Sequence, residues 1–197
     1  MQADIYDFDK TVLPYDSSVK FWLWSMLHRP WILILLPFQT IWGLLMLTKI
    51  LPVPVFKKIC FCFVTMFDTD KAVKQFWDTH QKDIYPFFRA DTRRTDRKTV
   101  IISASPDFLI AEIAKRLEVD AYIATPHSSK NGLMLGNLCN KKEKVRRFKE
   151  QFADAEVFDV YSDNLKHDRF IFELGKRCFL AKKGVLTEFD PATAYKH

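Results

Sequence analysis

Apolar and polar positions follow different rules in the two halves of the chain. Ala3 to Phe8 is a short apolar-rich run containing Ile5, Tyr6 and Phe8, the pattern of a buried strand, with Asp7 at its end and Pro14 stopping any continuation. From Ser17 to about Ala90 the composition turns helical and aromatic, and Pro30, Pro37, Pro52, Pro54 and Pro86 cut this stretch into several helices. The polar run Asp91 to Lys98 reads as a linker, and Thr99 to Ile102 as a second buried strand ending at Ser103. Pro106 opens a helix, because proline is tolerated at the first helical position, and Leu109 to Leu117 has helical spacing. Asp120 to Thr125 reads as a strand, and Lys130-Asn131-Gly132 as a turn with an Asn-Gly hairpin signal. The pattern ends with a charged amphipathic helix at Lys141 to Phe152, a strand at Val157 to Tyr161, a helix at Asp168 to Leu174 stopped by Gly175, and a last strand at Cys178 to Ala181. Strands alternating with helices predict an α/β fold with a parallel sheet covered on both faces. Residues 1–13 and 91–197 form its core, and 14–90 an inserted, apolar, all-helical cap after the first strand.

Composition narrows the class. With 197 residues, 48% hydrophobic and 27% charged, the chain suits one core carrying a modest insertion and excludes disorder, collagen and a small disulfide scaffold. Its 30 Lys and Arg against 24 Asp and Glu give +6, which points to an anionic partner: a phosphorylated substrate, an anionic lipid surface or nucleic acid. Cys60, Cys62, Cys139 and Cys178 lack CxxC spacing and read as reduced cytoplasmic thiols, and the opening residues carry no secretory pattern. Five glycines leave no GxGxxG fingerprint or GxxxxGK[ST] loop, so nucleotide binding by those devices is not expected.

In an open parallel sheet, ligands bind beyond the carboxyl ends of the strands. Asp7 and Asp9 follow the first strand, Ser103 the second, and Asp163 the strand at Val157 to Tyr161, so they converge on one crevice. Carboxylates gathered from separate strand ends need a compensating cation, and hard oxygen ligands favour Mg²⁺. Lys144, at a helix start, adds positive charge for a phosphate.

The series Asp7-Phe8-Asp9-Lys10-Thr11, Ser103-Ala104-Ser105, Lys144, and Asp163 with Asp168 resembles the four motifs of the haloacid dehalogenase-like (HAD) superfamily, in its phosphoserine phosphatase-like branch with a helical cap. The resemblance spans nearly the whole chain outside the insertion. It implies a Rossmann-like parallel sheet and a phosphatase in which Asp7 attacks phosphorus to form an aspartyl-phosphate while Asp9 acts as acid and then base. It further implies that the Asp7 carboxylate, the Asp9 carbonyl and Asp163 hold Mg²⁺, that Ser103, Ala104 and Lys144 bind the phosphoryl group, and that Thr11, Asn164 and Asp168 support the site. Two departures stand out: Lys10 replaces a common glycine, and Asp163 and Asp168 are five apart rather than the commoner four.

The run Trp31 to Thr48 has no charge and spans about 27 Å as a helix, marginal against the roughly 20 residues a bilayer core takes. Asp7 precedes it and Ser103, Lys144 and Asp163 lie beyond it, so a single crossing would split the site across the membrane. Two alternatives remain. One is an interfacial helical hairpin bent near Pro37 or Gly43, flanked by Trp22, Trp24, Trp31 and Trp42 and by Arg29, Lys49, Lys57 and Lys58. The other is an ordinary buried cap core. An apolar, Trp-rich insertion with basic flanks also resembles that of family members acting on a lipid phosphate such as phosphatidylglycerophosphate, implying a cytoplasmic enzyme peripheral to the inner membrane face, with no nucleic-acid partner. The rivals are a soluble small-molecule phosphatase and a non-catalytic module using Lys57, Lys58 and Arg93 to Lys98 to bind anionic membrane or nucleic acid.

Overall fold

A computed structural model describes residues 1–50, 55–56, 60–89, 93 and 95–194. Pro52, Pro54, Lys57, Lys58, Asp91 and Arg94, which bear on the expectations above, lie outside these residues.

β1 (Gln2–Tyr6) is buried on both faces from Ala3 onward and lies inside a six-stranded sheet of order β3-β2-β1-β4-β5-β6. Ile5 pairs with Val100 of β2 (Lys98–Pro106) on one side and Val160 of β4 (Glu156–Ser162) on the other, both parallel. β3 (Ala121–Thr125) and β5 (Arg177–Lys182) extend the sheet in parallel. β6 (Val185–Phe189) closes that edge antiparallel, so the strand at Cys178 is not the last. Lys183 and Gly184 between them have φ of 51° and 81°, left-handed geometry that suits a tight two-residue hairpin turn. Lys-Gly advertises that turn far less than Asn-Gly does, which is why the sequence pattern does not reveal it.

Helices cover both faces. On one, Tyr6, Ile101 and Ala124 share an aromatic-rich core with α1 (Ser17–His28), α3 (Thr69–His80) and α4 (Asp107–Arg116), contributing Phe21, Phe76, Trp77 and Leu109. Side-chain carboxylates cap two of these helices: Asp16 accepts from the Val19 amide and Asp68 from the Lys71 amide, each at 3.0 Å. The Trp77 indole donates to the Leu109 carbonyl at 2.9 Å, so α3, within the insertion range, is fastened to α4. On the other face Ile5, Val100, Ile102 and Val160 pack with Phe148 of α5 (Lys142–Gln151) and with α6 (Arg169–Phe172). The helix expected over Asp168 to Leu174 is thus a single turn. Pro106 ends β2, and α4 starts one residue later than expected. A last turn, α7 (Pro191–Ala194), comes after β6.

Pro30–Leu35 is a 3₁₀ stretch that leads directly into α2 (Leu36–Leu47). Of Pro30–Leu47 only Ile32 is buried, which overturns the buried-core expectation for this run. α2 also runs unbroken through Gly43, with Pro37 in its first turn where a missing N–H is tolerated, so neither residue marks a hairpin bend inside it. The Trp22 indole donates to Gln39 Oε1 at 3.0 Å, tying α2 to α1.

Arg97 and Lys98, at the end of the proposed basic face, are both paired. Arg97 is nearly buried and pairs with Asp4 at 3.1 Å and Asp159 at 3.4 Å, while Lys98 reaches Asp120 at 2.6 Å.

Candidate active site

The chain leaves β1 toward β2 and β3 on one side and later returns to β4 on the other, so a crevice opens where β1 and β4 end. The Asp7 amide donates to the Tyr161 carbonyl at 2.9 Å, carrying the strand pairing one residue past β1 and aiming the Asp7 side chain into this crevice. The next loop turns on Lys10, whose φ of 61° is the left-handed conformation that favours glycine, and the Val12 amide closes it onto the Phe8 carbonyl at 2.9 Å.

Lys144 is the hub of the site. Its Nζ lies 2.6 Å from Asp7 Oδ1 and 2.8 Å from Asp168 Oδ1, and all three residues are buried. Burial alone would lower the lysine's pKa, but the two carboxylates outweigh it and hold the ammonium form. Burial pushes Asp7 up to about 7; Lys144 pulls it down, and the nearby Asp168 raises it again. The second Asp168 oxygen accepts from Ser162 Oγ at 2.6 Å, and the Asn164 amide donates to that hydroxyl at 3.1 Å. Asn164 Oδ1 in turn accepts the His167 amide at 2.9 Å, which closes the loop that delivers Asp168. The five-residue spacing from Asp163 is therefore taken up in the loop.

Asp9 sits in a separate cradle. Its Oδ1 accepts the Ser17 amide at 2.7 Å, and its Oδ2 accepts Ser105 Oγ at 2.5 Å and Ser103 Oγ at 3.2 Å. Burial raises its pKa, the charge of Asp16 adds to that, and the serine donors oppose it. The Ser103 and Ser105 hydroxyls therefore face Asp9 rather than capping α4. Ala104 lies between them, its carbonyl accepting from Thr125 Oγ1 at 2.9 Å. Ser105, Ser17 and Ser18 are members of this cradle that sequence reasoning did not assign. The signals were an S-x-S at a strand end and an Asp-Ser-Ser helix start.

The Thr11 hydroxyl donates to Asp7 Oδ2 at 3.1 Å and accepts the Asp163 amide at 2.8 Å, binding the end of β1 to the end of β4. No hydrogen bond or ion pair to the Asp163 carboxylate is found among the described residues; Lys182 reaches its carbonyl oxygen instead. Burial raises the Asp163 pKa, partly offset by the charge of Lys182. A half-buried carboxylate without a direct partner, on a residue that Thr11 ties to Asp7 Oδ2, offers hard oxygens of the kind magnesium takes. Among the described residues no group of three or more His, Cys, Asp or Glu side chains forms a metal cluster.

Sheet order, crevice and motif order together match an α/β fold of the HAD type, and the chain belongs to the haloacid dehalogenase-like hydrolase family, whose model matches residues 5–165. Protein CicA of Caulobacter vibrioides is 39% identical over 77 residues, 36% of this chain. The match spans only 35% of that relative's length. Among solved structures, a Bordetella pertussis Tohama I protein of unknown function superposes with a TM-score of 0.62 at 14% identity, over 80% of this chain and 81% of that one. A probable phosphoserine phosphatase from Vibrio cholerae, in its unliganded form, gives a TM-score of 0.58 at 12% identity over 90% of this chain and 55% of that one. These two likenesses are likenesses of fold.

Proposed function

We propose that the protein is a Mg²⁺-dependent phosphomonoesterase that works through an aspartyl-phosphate on Asp7 and acts on a lipid phosphate, of which phosphatidylglycerophosphate is one, at the cytoplasmic membrane face. The observation that carries the chemistry is Lys144 bound to Asp7 and Asp168 in one buried cluster, with Asp9 held separately two residues from Asp7. Asp7 Oδ attacks phosphorus as the P–O ester bond breaks, and Asp9, whose raised pKa favours its protonated form, gives its proton to the leaving oxygen. Asp9, now ionised, takes a proton from water as that water attacks phosphorus, releasing Asp7 and inorganic phosphate. Lys144, Ser103 and the Ala104 amide hold the phosphoryl oxygens, Asp168 positions Lys144, and Thr11 positions Asp7. The Asp7 carboxylate, the Asp9 carbonyl and Asp163 would hold Mg²⁺, which when bound offsets charge on the transferring phosphoryl group.

The lipid assignment is supported by the exposed apolar surface of Pro30–Leu47, where Trp31, Ile34, Ile41, Leu44 and Leu47 all face outward. Monomeric soluble domains rarely leave such a contiguous surface uncovered. A second reading, a soluble phosphatase, draws on the fold likeness to the probable phosphoserine phosphatase.

Hydrolysis of p-nitrophenyl phosphate, phosphoserine and a phosphatidylglycerophosphate-containing vesicle separates the readings. The lipid enzyme turns over the vesicle substrate at least tenfold better than phosphoserine, loses activity in EDTA and regains it with Mg²⁺. Preference for phosphoserine supports the soluble reading, and activity retained by Asp7→Asn refutes the mechanism.

A further inference from the structure

A cavity of about 330 Å³ lies between α1 and α2, walled mainly by apolar side chains including Val19, Trp22, Phe56 and Phe63, with Gln39 and Thr40 on the α2 side. Three more lining residues, Asp16, Ser18 and Ala104, belong to the surroundings of Asp9. Ser18 Oγ lies 2.6 Å from Ser105 Oγ, which lies 2.5 Å from Asp9 Oδ2. The cavity therefore reaches to within two hydrogen-bond lengths of the carboxyl group that protonates the leaving oxygen. Lys144 and Asp168 do not line it. An ester whose phosphoryl group contacts Lys144 and whose leaving oxygen faces Asp9 would send its alcohol portion toward this apolar space.

We propose that this cavity receives the hydrocarbon chain of the leaving alcohol, so that the favoured substrate is a phosphate monoester whose chain begins within a few bonds of the phosphate. The proposal rests on the phosphatase reading and narrows it, from any lipid phosphate to one borne close to its chain, which ranks phosphatidylglycerophosphate, whose chains lie beyond a charged phosphodiester, below a simple long-chain phosphate ester. Three observations select this occupant. The walls are apolar, so a sugar or amino-acid alcohol would leave its polar groups unpaired there. A cavity of about 150 Å³ accepts benzene, so one about twice that size accepts a chain of about a dozen carbons. Finally, Leu36 lines the cavity from the start of α2, the same helix whose outward side is apolar and exposed, so the cavity lies beside a surface from which a lipid chain can be drawn.

The test uses water-dispersed monomeric probes, so that membrane docking contributes nothing. Binding of ethylphosphonate and decylphosphonate to the Mg²⁺-loaded protein is measured by calorimetry, and hydrolysis of ethyl, hexyl and decyl phosphate by phosphate release, all below micellar concentrations. Each methylene fully withdrawn from water contributes up to about fourfold, so decylphosphonate is expected to bind at least a hundredfold tighter than ethylphosphonate. Val19→Trp and Thr40→Trp, on opposite walls at exposed helix positions, are expected to cut that ratio at least tenfold. Either variant that remains folded by circular dichroism is informative. Equal binding of the two phosphonates, or of neither, overturns the proposal, as does an unchanged ratio in both variants. Chain-dependent binding without hydrolysis of any ester leaves the cavity assignment standing and refutes the phosphatase reading instead.

Discussion

Lys144 is buried with two carboxylates, and removing a buried charge is costly because its partners remain. Lys144→Met strands Asp7 and Asp168 beside each other, and we expect a loss of about 3–5 kcal/mol in urea unfolding together with loss of hydrolysis. Asp7→Asn behaves differently. A carboxyl whose folded pKa is raised to about 7 contributes stability that is present in acid and lost as pH rises through that value. The amide imitates the protonated form, so at pH 8 Asp7→Asn should unfold at the same temperature as the parent or higher, while showing no turnover. A lower midpoint at pH 8 would mean that the Lys144 contact outweighs the burial of Asp7. At this scale the neighbours of these residues were largely legible: Lys144 joins Asp7 and Asp168, Thr11 joins Asp7 to Asp163, and Ser103 meets Asp9, because strand-end positions are set by local pattern and parallel strands place their ends together. The Ser105 hydroxyl donor to Asp9 was not legible, because a serine next to a helix start reads equally well as a cap, and the Ser17 donor was not because any residue supplies a backbone amide.

Among the elements, the hairpin over Lys130 to Leu133 reaches back to the insertion. Gly132 has a φ of 70°, and a Cβ there would come within 2.0 Å of the Phe61 carbonyl oxygen. Gly132→Ala should therefore cost more than about 1 kcal/mol in urea unfolding, since both the backbone conformation and the space exclude it. α5 is held by Arg147, which donates to the Ala124 and Asn137 carbonyls at 2.9 and 2.8 Å and to Glu143 at 2.8 Å. Hydrogen bonds from the Arg146 and Arg147 guanidiniums hold Glu143 down to about 2. Its contribution is therefore present above the usual glutamate range near pH 4.5 and lost as pH falls toward 2; Glu143→Gln should flatten that part of the acid-unfolding profile. Strands β1 to β5 and the long helices were legible from apolar runs and helical spacing. β6 was not, because Val185 to Phe189 is a half-exposed edge strand whose pairing is dictated by the Lys183-Gly184 turn and the neighbour it folds onto.

For the whole molecule, the unsettled feature was the apolar run after the first motif. Its helical character and lack of charge were plain in the sequence, and so was the impossibility of a single crossing. Whether it would be buried was not, since hydropathy is the same for a core helix and an interfacial one. Ile41→Lys with Leu44→Lys removes two outward apolar side chains from α2 without touching the crevice. We expect the double variant to lose flotation with anionic liposomes and to hydrolyse p-nitrophenyl phosphate as the parent does; flotation equal to the parent's would remove the interfacial role of α2. By itself the sequence determined the alternation of strands and helices, the family motifs and the concentration of aromatic residues before residue 90, because these depend on residue type and local spacing. Only the tertiary structure decided which apolar residues find partners. Phe21, Phe76 and Trp77 complete the core over one face of the sheet, and with that face filled by α1, α3 and α4 the apolar side chains of α2 remain outside.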